Sequence, residues 1–252
     1  MSPIYTSDGI TINGGKTPKG IEYMEYGNVG DPLIVYLHGV GERFASPSNL
    51  LLQSPVCAGW NKDLGSWGEM EGFKYPDFFK KGIRVVAPVL KAWNWSPSYI
   101  DNFLDEINTT NLTCLMGWSL GGGAVGVYLT QATKKYDFKC GVLLSKSGSE
   151  SGVNVTCPVK LVHGTNDSKG CPVSNSDTFY AGVPSQYKAG YSKTAGDHWE
   201  WQGFLEPSTG IYEWILAQAE PPKSITYKEV KTEKGSDGKL YINDNGVRTP
   251  FN

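Results

Sequence analysis

Continuous apolar runs recur along the first 220 residues of the chain, and segments with helical spacing separate them. The runs are rich in Val, Ile and Leu, and several end in glycine, as expected for strands that are buried on both faces of a sheet. We predict strands at 32–39, 82–89, 112–117, 140–148 and 158–167, and a weaker one at 185–191.

Amphipathic segments lie between these runs and predict helices. In residues 96–107 the apolar side chains recur along one helical face, and either Ser96 or Ser98 is placed to cap the first turn. Strands that alternate with helices at this spacing predict an α/β fold, with a mostly parallel central sheet and helices on both of its faces. Further helices are predicted from Leu120 onward, at 173–182, and at 200–220 with an interruption at 207–210.

Two segments do not fit this alternation. Residues 44–75 are rich in Gly, Ser, Pro and Trp, and so long a connection inside a domain is usually functional or disordered. Residues 221–252 are polar, with two alternating stretches around 234–239 that predict an appended β-hairpin. We therefore expect one main domain over 1–220 and a C-terminal hairpin or tail over 221–252. The hairpin is either a solvated edge or a contact in a homo-oligomer.

Charge and hydropathy exclude several classes of partner. The formal net charge is −2 and no basic patch with interleaved aromatic residues occurs, so neither nucleic acid nor an anionic membrane is an expected partner. No apolar stretch is long enough to cross a membrane. The N-terminus lacks the basic start and apolar run of a secretory signal, so a cytoplasmic location is the default expectation, with secretion left open if a leader was removed.

The chain has five cysteines and no C-x-x-C pair, and Cys57 lies in the long excursion. Cys114 and Cys140 lie in apolar runs, where a buried thiol acts as a small hydrophobic side chain. Cys157 and Cys171 flank one short segment, so they are either bridged or free, and a cytosolic setting favours free thiols. We predict no metal site, because the thiols are few and the three histidines have other uses.

The first candidate for chemistry is the stretch GWSLGGGAV at 117–125. Its serine, Ser119, follows a short apolar strand and precedes the helix predicted from Leu120, which is the strand-turn-helix setting of a nucleophile elbow. Gly117 and Gly121 are small where neighbouring elements crowd the turn. The alternative is a glycine-rich helix start that contains a serine with no catalytic role.

A serine hydroxyl needs a base within hydrogen-bond reach, and the chain offers three histidines. His38 and His163 each end a predicted strand and precede glycine, which is typical of residues that shape a backbone turn. His198 lies in a loop after the weaker strand and before the final helix, where its ring is free to point across the top of the sheet. We predict His198 as the base, the alternative being an exposed loop histidine.

The base in turn needs an acid that fixes its tautomer. Asp167 follows a predicted strand at the same carboxyl edge of the sheet as the serine, and gives the chain order serine, aspartate, histidine. Asp197 and Glu200 are poorer candidates, because side chains so close to His198 in sequence rarely curl back onto its ring. Glu150 is a second alternative for the acid. The alternative without a catalytic role is that Asp167 only caps a helix.

The oxyanion of an acyl-transfer reaction must be held by donors that are already in place. One predicted donor is the backbone N–H of Leu120, which follows the serine. The other comes from the loop after the first central strand, most plausibly Val40, with Gly41 as the fallback. For Glu42 and Arg43 we expect a structural ion pair that anchors this loop.

Together these residues carry a family resemblance. The stretches YLHGVGER, GWSLGG, HGTND and GDHW, in this order and spacing, resemble the α/β-hydrolase superfamily over about residues 30–218. The first stretch is similar to a branch of small serine esterases that includes predicted peptidases and feruloyl-esterase-like and polyhydroxybutyrate-depolymerase-like enzymes. The resemblance implies an α/β-hydrolase catalytic domain over 1–220. Because few residues separate two of the predicted strands around 149–157, we expect no large cap domain there.

The sequence therefore predicts a serine hydrolase that cleaves carboxylic esters through an acyl-enzyme, with a small-molecule or polymer-linked ester as substrate and no cofactor. A peptidase on the same triad, an acyltransferase, and a non-catalytic binding or structural module that kept the fold are the alternatives. Four tryptophans near the expected mouth are predicted substrate contacts, the alternative being core packing. They are Trp93, Trp95, Trp118 and Trp199.

Overall fold

Nine strands form one mixed sheet in the first of the two units into which the chain divides, Met1–Ala219 and Glu220–Asn252. The computed structural model describes residues 1–7, 10–50, 60–61, 66–67, 81–219, 231–234, 240–244 and 247–250. The strands of the first unit are β1 Ser2–Ser7, β2 Ile10–Lys16, β3 Glu22–Tyr26, β4 Leu33–Leu37, β5 Trp60–Asn61, β6 Ser66–Trp67, β7 Arg84–Pro88, β8 Leu112–Trp118, β9 Cys140–Leu144, β10 Val159–Gly164 and β11 Lys188–Thr194.

The large sheet has the strand order β1-β2-β3-β7-β4-β8-β9-β10-β11. From β7 to β11 every neighbouring pair is parallel, whereas β1, β2 and β3 join in antiparallel fashion. The predicted α/β fold with a mostly parallel sheet is confirmed. Because β4, β8, β9 and β10 run in the same direction, the residues that follow them meet at one edge of the sheet.

The helices after residue 96 are close to their predicted positions, whereas the short helix at 47–50 was not predicted. Ser96 rather than Ser98 caps the helix that follows it, since its Oγ accepts a hydrogen bond of 3.1 Å from Tyr99 N. The predicted strand at 140–148 is shorter than expected and ends at Leu144. The helices are α1 Pro47–Leu50, α2 Pro97–Leu104, α3 Leu120–Thr130, α4 Val173–Gly182, α5 Trp201–Phe204 and α6 Ile211–Gln218, with 3-10 turns at Val40–Glu42, Ser185–Tyr187 and Pro207–Thr209.

The core lies on both faces of the sheet, because side chains along each central strand alternate between them. In β4, Ile34 and Tyr36 belong to one buried cluster, together with residues of α5 and α6. Leu33, Val35 and Leu37 belong to the other, together with residues of α2, α3 and α4. The sheet is therefore covered on both sides, as predicted.

The three N-terminal strands were not predicted. Their residues are mostly half-buried, their runs are polar, and β2 contains two adjacent glycines, so the sequence shows no continuous apolar signal there. A buried ion pair joins this antiparallel edge to the parallel sheet: Arg84 Nε of β7 lies 2.6 Å from Glu25 Oε1 of β3. Both side chains are almost fully buried, at 3% and 6% exposure.

The segments outside the alternation are described in part. The prediction for 44–75 lies largely outside the described residues, apart from 44–50, which contain α1, and the antiparallel pair of β5 and β6. Residues 145–158 contain neither helix nor strand, in agreement with the expected lack of a cap domain there. No helix among the described residues is long and apolar enough to cross a membrane.

The second unit contains an antiparallel sheet of β12 Lys231–Lys234, β13 Leu240–Asp244 and β14 Val247–Pro250. The first two strands correspond to the predicted hairpin around 234–239, and the third was not predicted. A role of this unit in a homo-oligomer stays a prediction.

Of the two alternatives for the cysteines, the structure has free thiols. Cys157 and Cys171 are both unbridged and buried, like Cys114 and Cys140. Cys57 lies outside the described residues.

Candidate active site

Ser119 occupies the sharp turn between β8 and α3. Its backbone has φ of 56° and ψ of −116°, a conformation that costs a non-glycine residue free energy and persists only when the surroundings enforce it. The end of β9 and the loop after it hold the turn: Ser119 N donates to Leu144 O at 2.8 Å, and Ser119 O accepts from Ser147 N at 3.1 Å. The serine is therefore fixed at the carboxyl edge of the sheet, with 6% of its surface exposed.

Glycines allow the start of α3 to come this close to the sheet. A Cβ atom at Gly121 would lie 1.9 Å from Leu37 O of β4, and one at Gly123 would lie 2.5 Å from Ser147 Oγ. Neither position has room for a side chain, because each Cβ would also meet backbone: Leu37 O at Gly121, and Ser147 O, at 2.8 Å, at Gly123. The expectation that Gly121 must be small is explained by this approach to β4.

Asp167 and His198 are joined by a short hydrogen bond. His198 Nδ1 lies 2.6 Å from Asp167 Oδ2, and the Asp167 carboxylate is fully buried. The second carboxylate oxygen, Oδ1, accepts from Lys169 N at 2.9 Å. Because a carboxylate only accepts, Nδ1 of His198 is the protonated nitrogen, and its Nε2 is left as an acceptor.

The loop that carries His198 is fixed to the ends of β8 and β9. The carbonyl oxygen of His198 accepts from Trp118 Nε1 at 3.3 Å and from Ser145 Oγ at 3.1 Å. The Trp118 and His198 rings pack with centroids 5.2 Å apart. Since Trp118 directly precedes Ser119, these contacts bring the predicted base and the predicted nucleophile to the same edge.

Ser119 and His198 are not hydrogen-bonded to each other. Within the described part of the chain, the one hydrogen bond of Ser119 Oγ is a long contact of 3.8 Å with Cys171 Sγ. Burial raises the pKa of the Cys171 thiol, so the neutral thiol faces the hydroxyl. The structure thus joins two of the three predicted residues directly, and it places the third at the same edge of the sheet.

The competing carboxylates have other partners. Glu150 pairs with Lys146, whose Nζ lies 3.0 Å from Glu150 Oε1, and Asp197 Oδ1 accepts from Trp199 N at 2.9 Å. Among the described residues, none of these carboxylates, nor Glu200, contacts the ring of His198 within hydrogen-bond distance.

Sequence reasoning missed one residue of this network. His163, expected to shape a turn, also contacts the Asp167 carboxylate, since its Nε2 lies 3.1 Å from Asp167 Oδ2. The motif HGTND places the two residues four positions apart, which is the available signal. The spacing alone does not show which way the ring points.

The predicted oxyanion donors begin two helical turns. Val40 opens the 3-10 turn Val40–Glu42 and Leu120 opens α3, and the N–H groups at a helix start have no acceptor within the helix. Val40 is 51% exposed.

The expected ion pair between Glu42 and Arg43 is not formed. Arg43 instead donates to two carbonyl oxygens, those of Val40 at 3.1 Å and Trp93 at 2.9 Å, and so links the loops after β4 and β7. Glu42 points inward, and its Oε2 lies 3.8 Å from His38 Nδ1.

His38 and Glu42 are buried with shifted ionisation. His38 Nδ1 lies 2.7 Å from Gly39 O, while its Nε2 accepts from Leu90 N at 3.0 Å, so the ring is neutral. Burial lowers the pKa of His38 to about 4. Burial also raises the pKa of Glu42 to about 7, against the opposing effect of backbone N–H groups.

The four tryptophans divide into two pairs. Trp95 and Trp118 are core residues with 9% and 4% exposure, as the core-packing alternative expects, and a substrate contact of these two stays a prediction. Trp93 is 73% exposed and forms an edge-to-face contact with Phe44 at 6.1 Å between centroids. Trp199 is half-buried and packs on Trp118 at 4.6 Å.

Comparison with solved structures identifies the fold. A thermostable esterase superposes with a TM-score of 0.57 and 18% identity, covering 84% of this chain and 64% of its own. The chain has the α/β-hydrolase fold. An acylaminoacyl peptidase in complex with Z-Gly-Gly-Phe-chloromethyl ketone has a TM-score of 0.52 and 14% identity, covering 81% of this chain and 41% of its own.

An uncomplexed acylaminoacyl peptidase from Pyrococcus horikoshii also shares the α/β-hydrolase fold, with a TM-score of 0.52 and 15% identity. It covers 81% of this chain and 41% of its own, so the chain spans less than two thirds of each of these structures. No family model and no curated protein matches the chain. Within its described part, no group of three or more His, Cys, Asp or Glu side chains is placed to hold a metal ion.

Proposed function

We propose that this chain is a serine hydrolase that cleaves carboxylic esters through an acyl-enzyme. Ser119 is the nucleophile on a nucleophile elbow, His198 the general base and Asp167 the residue that orients it. The observation that carries the proposal is the 2.6 Å hydrogen bond between the buried Asp167 carboxylate and His198 Nδ1, at the sheet edge where Ser119 is held with positive φ. The α/β-hydrolase fold is compatible with this chemistry.

The first step is acylation of the serine. Ser119 Oγ turns from Cys171 Sγ toward His198 Nε2, gives up its proton to that nitrogen, and attacks the ester carbonyl carbon. Hydrogen bonds of this kind are often long in proteins without substrate and tighten only when substrate binds. The imidazolium that forms is stabilised by the Asp167 carboxylate.

Breakdown of the tetrahedral intermediate completes the acylation, and deacylation by water completes the reaction. The backbone N–H groups of Leu120 and Val40 donate to the oxyanion, and because both open helical turns, they are available to an external acceptor. Collapse of the intermediate expels the alcohol, which takes the proton from His198 Nε2. Water then attacks the acyl-enzyme by the same route and restores Ser119.

For the substrate we propose an ester with a flat or ring-bearing group, either a small molecule or part of a polymer. Trp93 and Phe44 form an exposed aromatic surface beside Val40, and the Arg43 guanidinium covers the Trp93 ring at 5.0 Å. Such surfaces stack against planar groups. Trp199 next to His198 is the proposed contact on the other side.

The test is active-site labelling combined with ester hydrolysis. The wild-type chain should react with a fluorophosphonate probe and hydrolyse p-nitrophenyl acetate, whereas Ser119→Ala should lose the label and about 10³-fold or more in kcat. Ser149→Ala, an exposed serine nearby, is the matched control and should keep both. Label that persists in Ser119→Ala would contradict the assignment of the nucleophile.

The same experiment separates the alternatives. A wild-type chain without label would favour a non-catalytic module that kept the fold. A panel of matched ester and peptide substrates distinguishes an esterase from a peptidase, since both use the same acyl-enzyme chemistry. Transfer of the acyl group to an added alcohol, rather than to water, would identify an acyltransferase.

A further inference from the structure

His163 is a fully buried histidine whose two ring nitrogens are both engaged. It lies at the end of β10, and its Nδ1 lies 2.7 Å from Ser176 Oγ of α4. Its Nε2 lies 2.7 Å from Cys171 O and 3.1 Å from Asp167 Oδ2. The ring therefore sits at the junction of a helix, the predicted acid and the segment that leads to Cys171.

The partners of His163 determine its tautomer. The Cys171 carbonyl and the Asp167 carboxylate are both acceptors, so Nε2 carries the proton, and its N–H donates to both of them. Nδ1 then accepts from the Ser176 hydroxyl. Burial lowers the pKa of His163, in keeping with a neutral ring in this enclosed position.

This arrangement gives the Asp167 carboxylate three donors. Oδ1 accepts from Lys169 N, and Oδ2 accepts from both His198 Nδ1 and His163 Nε2. A carboxylate with three donors from different parts of the chain cannot rotate without breaking at least one of them. His163 is thus one of the groups that fix the direction in which Asp167 presents Oδ2 to His198.

The same N–H also holds the segment beside the nucleophile. The Cys171 carbonyl bonds to His163 Nε2, and the Cys171 thiol lies 3.8 Å from Ser119 Oγ. One ring nitrogen thereby links the predicted acid to the side chain that packs against the predicted nucleophile.

We propose that His163 is a positioning residue, which acts through its Nε2–H to orient the Asp167 carboxylate and to hold Cys171 against Ser119. The proposal rests on the serine hydrolase function proposed above. The titratable groups around the ring are Asp167 and Cys171 on the following loop, Asp177 on α4 and His198 on the loop after β11. Without the N–H of His163, the Asp167 carboxylate accepts one hydrogen bond fewer, so its negative charge is less well stabilised. This favours the protonated form of His198, which is hydrogen-bonded to the same carboxylate oxygen.

The test compares three variants by the pH profile of kcat/KM for p-nitrophenyl acetate. His163→Leu removes the donor, and we expect kcat to fall roughly 10- to 100-fold, with the acidic limb of the profile moved to higher pH. In His163→Gln the amide N–H can replace Nε2–H, so this variant should keep most of the wild-type rate and the wild-type position of the acidic limb. Tyr128→Phe is the control: it removes a structural hydrogen bond of 2.6 Å to Asp101 and should leave the limb in place.

Histidine-selective ¹⁵N NMR gives a readout that does not depend on activity. The chain has three histidines, so the spectrum is simple to assign with the variants. We expect the His163 proton on Nε2, a His198 Nδ1–H resonance that is displaced in His163→Leu, and one close to its wild-type position in His163→Gln. A proton on Nδ1 of His163, or a His198 signal unchanged in His163→Leu, would overturn the proposal.

The outcomes separate this inference from the proposed function. If Ser119→Ala keeps its activity, the serine hydrolase assignment fails, whatever His163 does. If Ser119→Ala is inactive but His163→Leu has the wild-type pH profile, the positioning role fails alone. Should His163→Leu not fold, two results still test the proposal. These are the activity of His163→Gln and the wild-type NMR spectrum, which shows whether Nε2 of His163 carries a proton.

Discussion

Glu42 is a buried acid in the turn that follows β4, and its replacement by Gln tests the electrostatics of the site loop. The side chain is 4% exposed, and its Oε2 has no hydrogen-bond partner among the described residues. A carboxylate in this position lacks the solvation that it has in the unfolded chain. Glu42→Gln removes the ionisable group with little change in shape.

The size of the effect follows from the pKa of Glu42. Its ordinary value of 4.5 rises to about 7 in the folded protein, and at about 1.4 kcal/mol per pH unit this corresponds to about 3 kcal/mol. Between these two values the folded protein keeps the Glu42 proton and the unfolded chain releases it. Unfolding is therefore favoured as pH rises from 4.5 to 7, and the wild-type chain loses about 3 kcal/mol over this window.

His38 has the opposite dependence. Because its pKa falls from 6.5 to about 4, the unfolded chain binds a proton in this window and the folded protein does not. Stability therefore decreases as pH falls from 6.5 to 4, again by about 3 kcal/mol. Between pH 4.5 and 6.5 the contributions of His38 and Glu42 to the pH dependence of stability therefore cancel. In Glu42→Gln the contribution of His38 remains alone.

The assay is urea unfolding followed by tryptophan fluorescence between pH 4.5 and 8. All eight tryptophans belong to Met1–Ala219, so the signal reports the unit that contains Glu42. The free energy of unfolding of Glu42→Gln minus that of the wild type should rise by about 3 kcal/mol from pH 4.5 to 7. Glu206→Gln, at an exposed site, is the control for the loss of one carboxylate. A difference for Glu42→Gln that stays constant with pH, or that changes no more than that of Glu206→Gln, would refute the reasoning.

Two further predictions concern packing and substrate. Gly121→Ala should destabilise the protein by roughly 3 kcal/mol or more in the same urea assay, because the new Cβ would lie 1.9 Å from Leu37 O. Gly203→Ala, a helical glycine with nothing within 4 Å of such a Cβ, should be neutral or slightly stabilising, and equal effects would contradict the packing argument. Trp93→Ala should raise KM for aryl esters severalfold with kcat nearly unchanged. An unchanged KM would place Trp93 outside the substrate contacts.

The strands that position the site could be predicted from sequence because burial on both faces leaves a continuous signal. Every residue of β4 and β7 is buried, and both lie in mostly apolar runs of the sequence. The N-terminal strands lack this signal, since in β2 one residue of seven is buried. Their place in the sheet depends on pairing with distant residues, such as the contact of Glu25 with Arg84, which no local pattern shows.

Side-chain direction was harder to predict than position. The sequence placed the four tryptophans near the edge of the sheet, but Trp95 turns inward, where its Nε1 donates to His38 O at 3.1 Å. Glu42 and Arg43 are neighbours in sequence and were expected to pair, yet they point to different surroundings. Such outcomes depend on which carbonyl oxygens of other loops lie within reach, and these are set by tertiary structure.

The three histidines differ in how many ring nitrogens the fold already uses. In His38, Nδ1 donates to Gly39 O and Nε2 accepts from Leu90 N. Both ring nitrogens of His163 are hydrogen-bonded as well, to Ser176 and to Cys171. His198 has one nitrogen committed to Asp167, and its Nε2 makes no hydrogen bond within the described part of the chain. A general base needs a nitrogen that can accept a proton from the substrate side. The loop position of His198 predicts it as the base, and its uncommitted Nε2 gives the proposal a second, independent reason.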